Sequence, residues 1–172
     1  KVDEWRDEGN GVYSAPVSGV EYVRNLYING YPAVRARSEK RYKAGNIYHE
    51  EGSTYAKDGF SVSKDYVKER FDTKREDIEL VWMYTNSNNW ESRRTPVESI
   101  IETETDLTFV LDRGVLNYVS SRFRNGNIFY FENGKELLDT PGEFYYNKDE
   151  GRIYYMPHAE EDMKNAQAYV GT

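Results

Sequence analysis

Residues 131–157, FENGKELLDTPGEFYYNKDEGRIYYMP, decide the fold class. Pro141-Gly142 fits the two central positions of a type II turn, because Pro presets φ and Gly accepts φ > 0. Glu143 to Asn147 then alternates, with Phe144 and Tyr146 on one face and Tyr145 on the other. Lys148-Asp149-Glu150-Gly151 reads as a type I turn closed by a left-handed Gly. Arg152 to Met156 returns, with Ile153 and Tyr155 on one face and Tyr154 on the other. Pro157 cannot donate to a ladder and marks the end of the pairing. The stretch predicts a β-hairpin. Aromatic residues on both of its faces predict a sheet covered on both sides.

Turn signals recur along the rest of the chain. Val2 to Asp7 reads as a strand anchored by Trp5, followed by a turn over Glu8-Gly9-Asn10-Gly11. Val12 to Val17 pairs back, and Pro16 indicates an edge position. Asn29-Gly30 between Asn25–Ile28 and Tyr31–Arg37 is a strong hairpin signal. Ser38 to Asp58 is polar and reads as a long irregular excursion. Ser63 is placed to cap a short helix over Lys64–Arg70, with Tyr66, Val67 and Phe71 on one side. Strands follow at Asp77–Tyr84, Trp90–Ile101 (dented at Pro96) and Leu107–Leu111, with a turn cluster over Thr85–Asn89. Asp112–Asn117 reads as a turn and Tyr118–Phe123 as a weak strand. Asn125-Gly126 turns into Asn127–Phe131, and Glu132–Leu138 reads as one helical turn. The tail from His158 to Thr172 is acidic, then weakly apolar. Short strands with turns roughly every 8–12 residues make an all-β, antiparallel β-sandwich with one or two short helices. Residues 1–172 read as one such domain.

Composition narrows the function. The chain has 172 residues, 38% hydrophobic and 31% charged, with 16 Tyr, 7 Phe and 3 Trp. Tyr and Trp suit half-buried sheet faces and also flat sugar-binding faces. The formal net charge is −7, against the basic face a nucleic-acid binder shows. There is no Cys, hence no disulfide, thiol nucleophile or Cys-bound metal. No run of 18 apolar residues is present to insert into a membrane. No signal peptide is visible, and a start at Lys1 fits an excised segment or a processed product.

The runs Glu132-Asn133, Glu136 to Tyr145 and Gly151 to Pro157 resemble a segment of large right-handed parallel β-helix proteins. Those are bacterial carbohydrate-active enzymes, glycoside hydrolases of the xylosidase and fucosidase kind. The resemblance extends in patches to Asn25–Gly30, Arg35-Ala36-Arg37, Ile78–Val81, Trp90 with Arg93 or Arg94, and Pro96–Ile100. It implies an irregular, jelly-roll-like sandwich inserted into a β-helix, whose own coils are not in these residues. It also implies an extracellular or periplasmic protein, with the parent's β-helix domain as partner and a polysaccharide or oligosaccharide as ligand. The catalytic carboxylates of such enzymes lie on the β-helix, so no catalytic residue is implied here.

Glycoside hydrolysis usually needs two carboxylates. Asp139 with Glu143, Glu98 with Glu102, and Glu50 with Glu51 are the pairs to consider, and none sits in a motif. His49 and His158 lie outside any metal-spaced cluster, so no metal is expected. No cofactor motif is present, neither a phosphate loop nor a nucleophile elbow. The ligand-binding candidates are Arg35 and Arg37 on one strand, and Trp90 with Arg93 and Arg94. These form either a polar ledge for a glycan or for the β-helix, or an internal ion-pair network. Trp90 is either a stacking platform or a core anchor, and the usual burial of Trp favours the anchor. The expected function is a non-catalytic accessory domain that shapes or walls the glycan cleft of a β-helix enzyme. The alternatives are a free-standing carbohydrate-binding module and a glycoside hydrolase with a hidden site.

Overall fold

The computed structural model describes residues 1–55, 57–67, 69–71, 77–83, 92–118 and 124–171. In chain order the strands are β1 (Arg6–Gly9), β2 (Val12–Pro16), β3 (Asn25–Ile28), β4 (Tyr31–Pro32), β5 (Val34–Arg35), β6 (Tyr42–Lys43), β7 (Asn46–Tyr48) and β8 (Gly59–Ser63). Then come β9 (Glu79–Met83), β10 (Ser92–Glu102), β11 (Asp106–Leu111), helix α1 (Arg113–Tyr118), β12 (Ile128–Glu132), a 3-10 turn (Lys135–Leu137), β13 (Glu143–Asn147), β14 (Arg152–Tyr155) and β15 (Ala168–Gly171). The chain is all-β, and its strands group into two compact units.

The first unit holds Lys1–Arg37 and Asn133–Thr172. It is a sandwich of a five-stranded sheet, β1-β2-β14-β13-β5, and a three-stranded sheet, β15-β3-β4. All pairs are antiparallel except β13 with β5. Between the sheets lie Ala15, Phe144, Tyr146, Ile153 and Tyr155 from one and Leu26, Ile28 and Ala168 from the other. These are the inward residues of the alternation in the sequence. The outward Tyr145 and Tyr154 are also buried and stack with centroids 5.8 Å apart. The hairpin is therefore covered on both sides, as its composition predicts. Its turns are the expected ones: the Glu143 amide donates to the Thr140 carbonyl across Pro141-Gly142, and that of Gly151 to the Lys148 carbonyl. Asn29 and Gly30 both take positive φ, 51° and 85°, between the paired Ile28 and Tyr31, which is a type I′ turn.

The second unit holds Ser38–Glu132 and is a seven-stranded sheet, β6-β12-β9-β10-β11-β8-β7. Its two edge strands, β6 and β7, are joined only by Ala44 and Gly45, so the sheet curls round on itself. Gly45, between them, lies close against β8: a Cβ there would lie 2.0 Å from the carbonyl oxygen of Ser61. Tyr42, Phe60, Trp82, Phe109, Phe129 and Phe131 are all buried and pack ring against ring. Phe60 and Phe129 pack edge to face with centroids 5.0 Å apart. Alternation along β9 and β12 puts Leu80, Trp82, Phe129 and Phe131 on the same face in register.

Six local expectations change. Val2–Asp7 is regular strand only from Arg6, and the arm Tyr31–Arg37 divides into β4 and β5, which belong to different sheets. Ser38–Asp58 is not an irregular excursion, because Tyr42–Lys43 and Asn46–Tyr48 are the strands that close the curl. Lys64–Arg70 is not a helix among its described residues: the amides of Tyr66 and Val67 donate to the Ser63 carbonyl, and the chain turns once. A helix forms instead at Arg113–Tyr118, where a turn is predicted, because the Asp112 carboxylate accepts the Val115 amide at 3.0 Å as an N-cap. Strand β2 is not an edge, for it lies between β1 and β14. Pro16 is tolerated there because β1 reaches only as far as Ser14. Trp90, Thr85–Asn89 and residues 119–123 lie outside the described residues.

Candidate functional site

The Pro141-Gly142 turn gathers an expected carboxyl pair whose members act on each other. Glu143, at the start of β13, is 7% exposed, while Asp139 is exposed. Burial pushes the Glu143 carboxyl above its ordinary range, and the Asp139 charge adds to the rise. The amides of Asp139 and Thr140 donate to it, and Arg37 sits near enough to oppose the rise. The Thr140 hydroxyl donates to Asp139 Oδ1 at 2.9 Å. His158 lies over Gly142, with Nε2 2.5 Å from where a Cβ would be. The His158 amide and the Tyr155 hydroxyl both donate to Glu161 Oε2, at 2.8 and 2.7 Å. This arrangement ties the turn, the tail and the hairpin together. One buried carboxyl with a raised pKa beside an exposed one is the pattern of an acid and its neighbour. Here the buried member also caps a turn.

The predicted arginines divide between the two units. Arg35 ends β5, half-buried, in parallel register with Phe144, and Arg37 follows it, exposed. Arg93 and Arg94 are adjacent on β10 and so point to opposite faces: Arg93 pairs with Trp82 and Arg94 with Val81. Arg94 Nε donates to Glu132 Oε2 at 2.8 Å and Nη2 to Oε1 at 3.4 Å. The Glu132 side chain is 5% exposed against 44% for Arg94. For Arg94 the internal ion pair is what forms.

Asp58, Glu50 and Glu102 are engaged within the second unit. Asp58 is fully buried and accepts the Glu50 amide at 2.9 Å and the Ser53 hydroxyl at 2.7 Å. Arg113 bridges it, with Nε 3.1 Å from Oδ1, and also reaches Glu50. Burial works to raise the Asp58 pKa, but these donors outweigh it and hold the carboxyl below its ordinary value. Glu102 pairs with Lys64. Nothing in the sequence flags Asp58, whose partners come from three separated places. No group of three or more His, Asp or Glu side chains able to hold a metal ion occurs among the described residues. No helix among them is long and apolar enough to cross a membrane.

Six tyrosines of the first unit form two sets. Tyr146, Tyr154 and Tyr155 are buried with bonded hydroxyls, to Val20 O, Glu150 and Glu161. Burial and the Glu150 carboxylate push the Tyr154 phenol up to about 12, so it stays a donor. Tyr27, Tyr31 and Tyr169 are 41%, 77% and 48% exposed. Tyr27 stands directly opposite Tyr169 across β3 and β15.

Residues 117–158 match the model of a family described as the GH141 insertion domain. That segment contains Asn133, the Pro141-Gly142 turn and the whole β13–β14 hairpin. A solved structure named "Glycoside hydrolase" is similar in fold, with a TM-score of 0.74 at 20% identity. The likeness covers 97% of this chain and 30% of that one. No curated protein matches the chain.

Proposed function

We propose that this chain is a non-catalytic accessory domain of a glycoside hydrolase, one that shapes or walls the cleft holding the glycan. The observation that carries this reading is the coverage: nearly the whole chain, 97%, superimposes on a part, 30%, of a glycoside hydrolase. The match of residues 117–158 to a GH141 insertion domain supports the same relation. The engagement of Glu50, Asp58 and Glu102 in internal bonds supports a structural use of those acids. In this reading the parent is a right-handed parallel β-helix enzyme of the xylosidase or fucosidase kind. The β-helix is the partner, and the protein works outside the cytoplasm, where polysaccharides are met.

The test is to assay the purified 172 residues on aryl glycosides, xylan, arabinan and fucosylated oligosaccharides. No turnover is expected. Turnover abolished by one Asp or Glu substitution, Glu143→Gln first among them, would replace this reading with a hidden active site. Reading the coding sequence on both sides of the segment for β-helix coils tests the parentage.

Tyr27, Tyr31 and Tyr169 favour a second reading, a carbohydrate-binding module. Exposed aromatic faces can stack on sugar rings. Tyr27→Ala and Tyr169→Ala would then weaken glycan binding and leave the melting temperature nearly unchanged. Variants that alter neither binding nor melting would remove this alternative.

A further inference from the structure

In the second unit a cavity of about 190 Å³ lies between Glu69–Phe71 and the β10–β11 hairpin. Ile100, Leu107 and Glu102 form its hairpin wall. We propose that this cavity is a subsite for a single neutral pyranose ring. The proposal rests on the reading of the chain as a glycan-handling domain and names where a sugar would sit.

Size comes first. Pockets for drug-sized ligands measure roughly 300–1,000 Å³. A cavity of about 190 Å³ is too small for an oligosaccharide and suits one ring or a chain end. The wall chemistry comes second. A pyranose has an apolar C–H face and a rim of hydroxyls. Phe71, Ile100 and Leu107 provide apolar surface for the face. Glu69 and Glu102 provide acceptors, and Arg70 a donor, for the rim.

These polar groups are held in place before any ligand arrives. Both oxygens of Glu69 lie 2.6 Å from the Tyr42 hydroxyl. Arg70 Nη1 donates to the carbonyls of Val67 and Glu69 at 3.0 and 2.9 Å. Glu102 is paired with Lys64, whose Nζ also donates to the Thr103 carbonyl at 3.3 Å. Pre-positioned groups bind with less ordering cost. Charge comes third. Glu69 and Glu102 are offset by Arg70 in the wall and by Lys64, which pairs with Glu102 from outside it, so these four charges sum to zero.

The test is a titration of the whole chain followed by NMR, reading the methyls of Ile100 and Leu107. The probes are methyl β-xylopyranoside and methyl β-glucopyranoside, with methyl glucuronoside as the anion and butylammonium as the cation. The neutral glycosides are expected to shift those methyls with affinity in the millimolar range. The two ions are expected to bind at least several-fold more weakly. Ile100→Trp fills the cavity and should weaken binding at least tenfold while the protein still melts as one transition. Should that variant not fold, Glu69→Gln is expected to weaken binding several-fold. Methyl shifts absent with both glycosides, or tighter binding of butylammonium, would overturn the subsite. Shifts confined to Tyr27 and Tyr169 would overturn it while leaving glycan handling intact. Turnover by the isolated chain would overturn the accessory reading while leaving the subsite.

Discussion

The side-chain amide of Asn133 pairs with the peptide of Tyr146 as a neighbouring strand would. Nδ2 donates to the Tyr146 carbonyl and Oδ1 accepts the Tyr146 amide, both at 3.1 Å. Strand β5 accompanies β13 only through Glu143 and Phe144, with Ala36 then donating to the Phe144 carbonyl. Past that point Asn133 takes over, while its own amide donates to Ala36 O at 2.8 Å. Asn133 adopts φ 60°, a left-handed value that Asn tolerates.

Asn133→Ala should therefore cost about 2–4 kcal/mol, because it leaves a buried donor and a buried acceptor on Tyr146. Asn133→Gly separates the causes, since it lacks the amide but relieves the backbone. The two variants should differ by about 1 kcal/mol, the left-handed penalty of a residue with a Cβ. Urea midpoints measure both. An Asn133→Ala protein as stable as the parent would show that the pairing contributes nothing.

Gly142 has φ 91°, and His158 stands over it. Gly142→Ala meets two costs: the strained φ, and a Cβ 2.5 Å from His158 Nε2. His158 is exposed and can swing aside, so the backbone cost should dominate, at about 1–3 kcal/mol. The expected result is nearly the same loss in the parent and in a His158→Ala background. A loss that disappears with His158→Ala would assign the constraint to the ring.

Turn chemistry made much of this fold readable. Asn29-Gly30, Pro141-Gly142 and Lys148–Gly151 each fix a local geometry that does not depend on distant residues. The tyrosines of the hairpin declared burial on both faces for the same reason. What stayed hidden depends on partners far along the chain. Tyr42 and Ile47 sit in a polar stretch, and only a sheet curling back to them makes that stretch two strands. Ser63 offered a helix cap, yet Asp112 is the residue that caps one. The pairing of Arg94 with Glu132, 38 residues away, left no mark in either neighbourhood. Asn133-Gly134 did carry a signal, an Asn-Gly dipeptide with a left-handed first residue, like Asn29-Gly30.

Two carboxyls should titrate with opposite effects on stability. The Asp58 pKa is lowered in the folded state, so its contribution is present above the unfolded value, about 3.9, and is lost as pH falls through the folded one. The Glu143 pKa is raised, so its favourable protonated form persists below about 4.3 and is lost as pH rises through the folded value. Asp58→Asn should thus destabilise at about pH 7, and the difference should shrink towards about pH 3. Glu143→Gln should stabilise at about pH 7 and match the parent at about pH 3. Urea melts of the three proteins across that range give the sign. A Glu143→Gln protein less stable than the parent at neutral pH would show that the charged carboxylate is the form the turn requires.

Arg94 serves two buried acids. Glu79 and Glu132 stand directly opposite each other on β9 and β12, each 4% exposed. Arg94 bonds Glu132, whose hydrogen bond raises the guanidinium pKa, and the Glu79 charge raises it further. Arg94→Ala removes that guanidinium from beside two buried acids. Because the Arg94 side chain is 44% exposed, solvent screens part of the loss, and about 1–3 kcal/mol at neutral pH is expected. Adding Glu132→Gln to Arg94→Ala should recover part of the stability, which an additive pair of defects would not do. Arg94→Lys keeps the charge but loses the two-pronged contact, and should fall between parent and Ala. A glycan ledge would behave otherwise: Arg94→Ala would weaken glycan binding and leave the melting temperature unchanged at every pH. That outcome would make Arg94 a ligand-binding residue and remove its structural role.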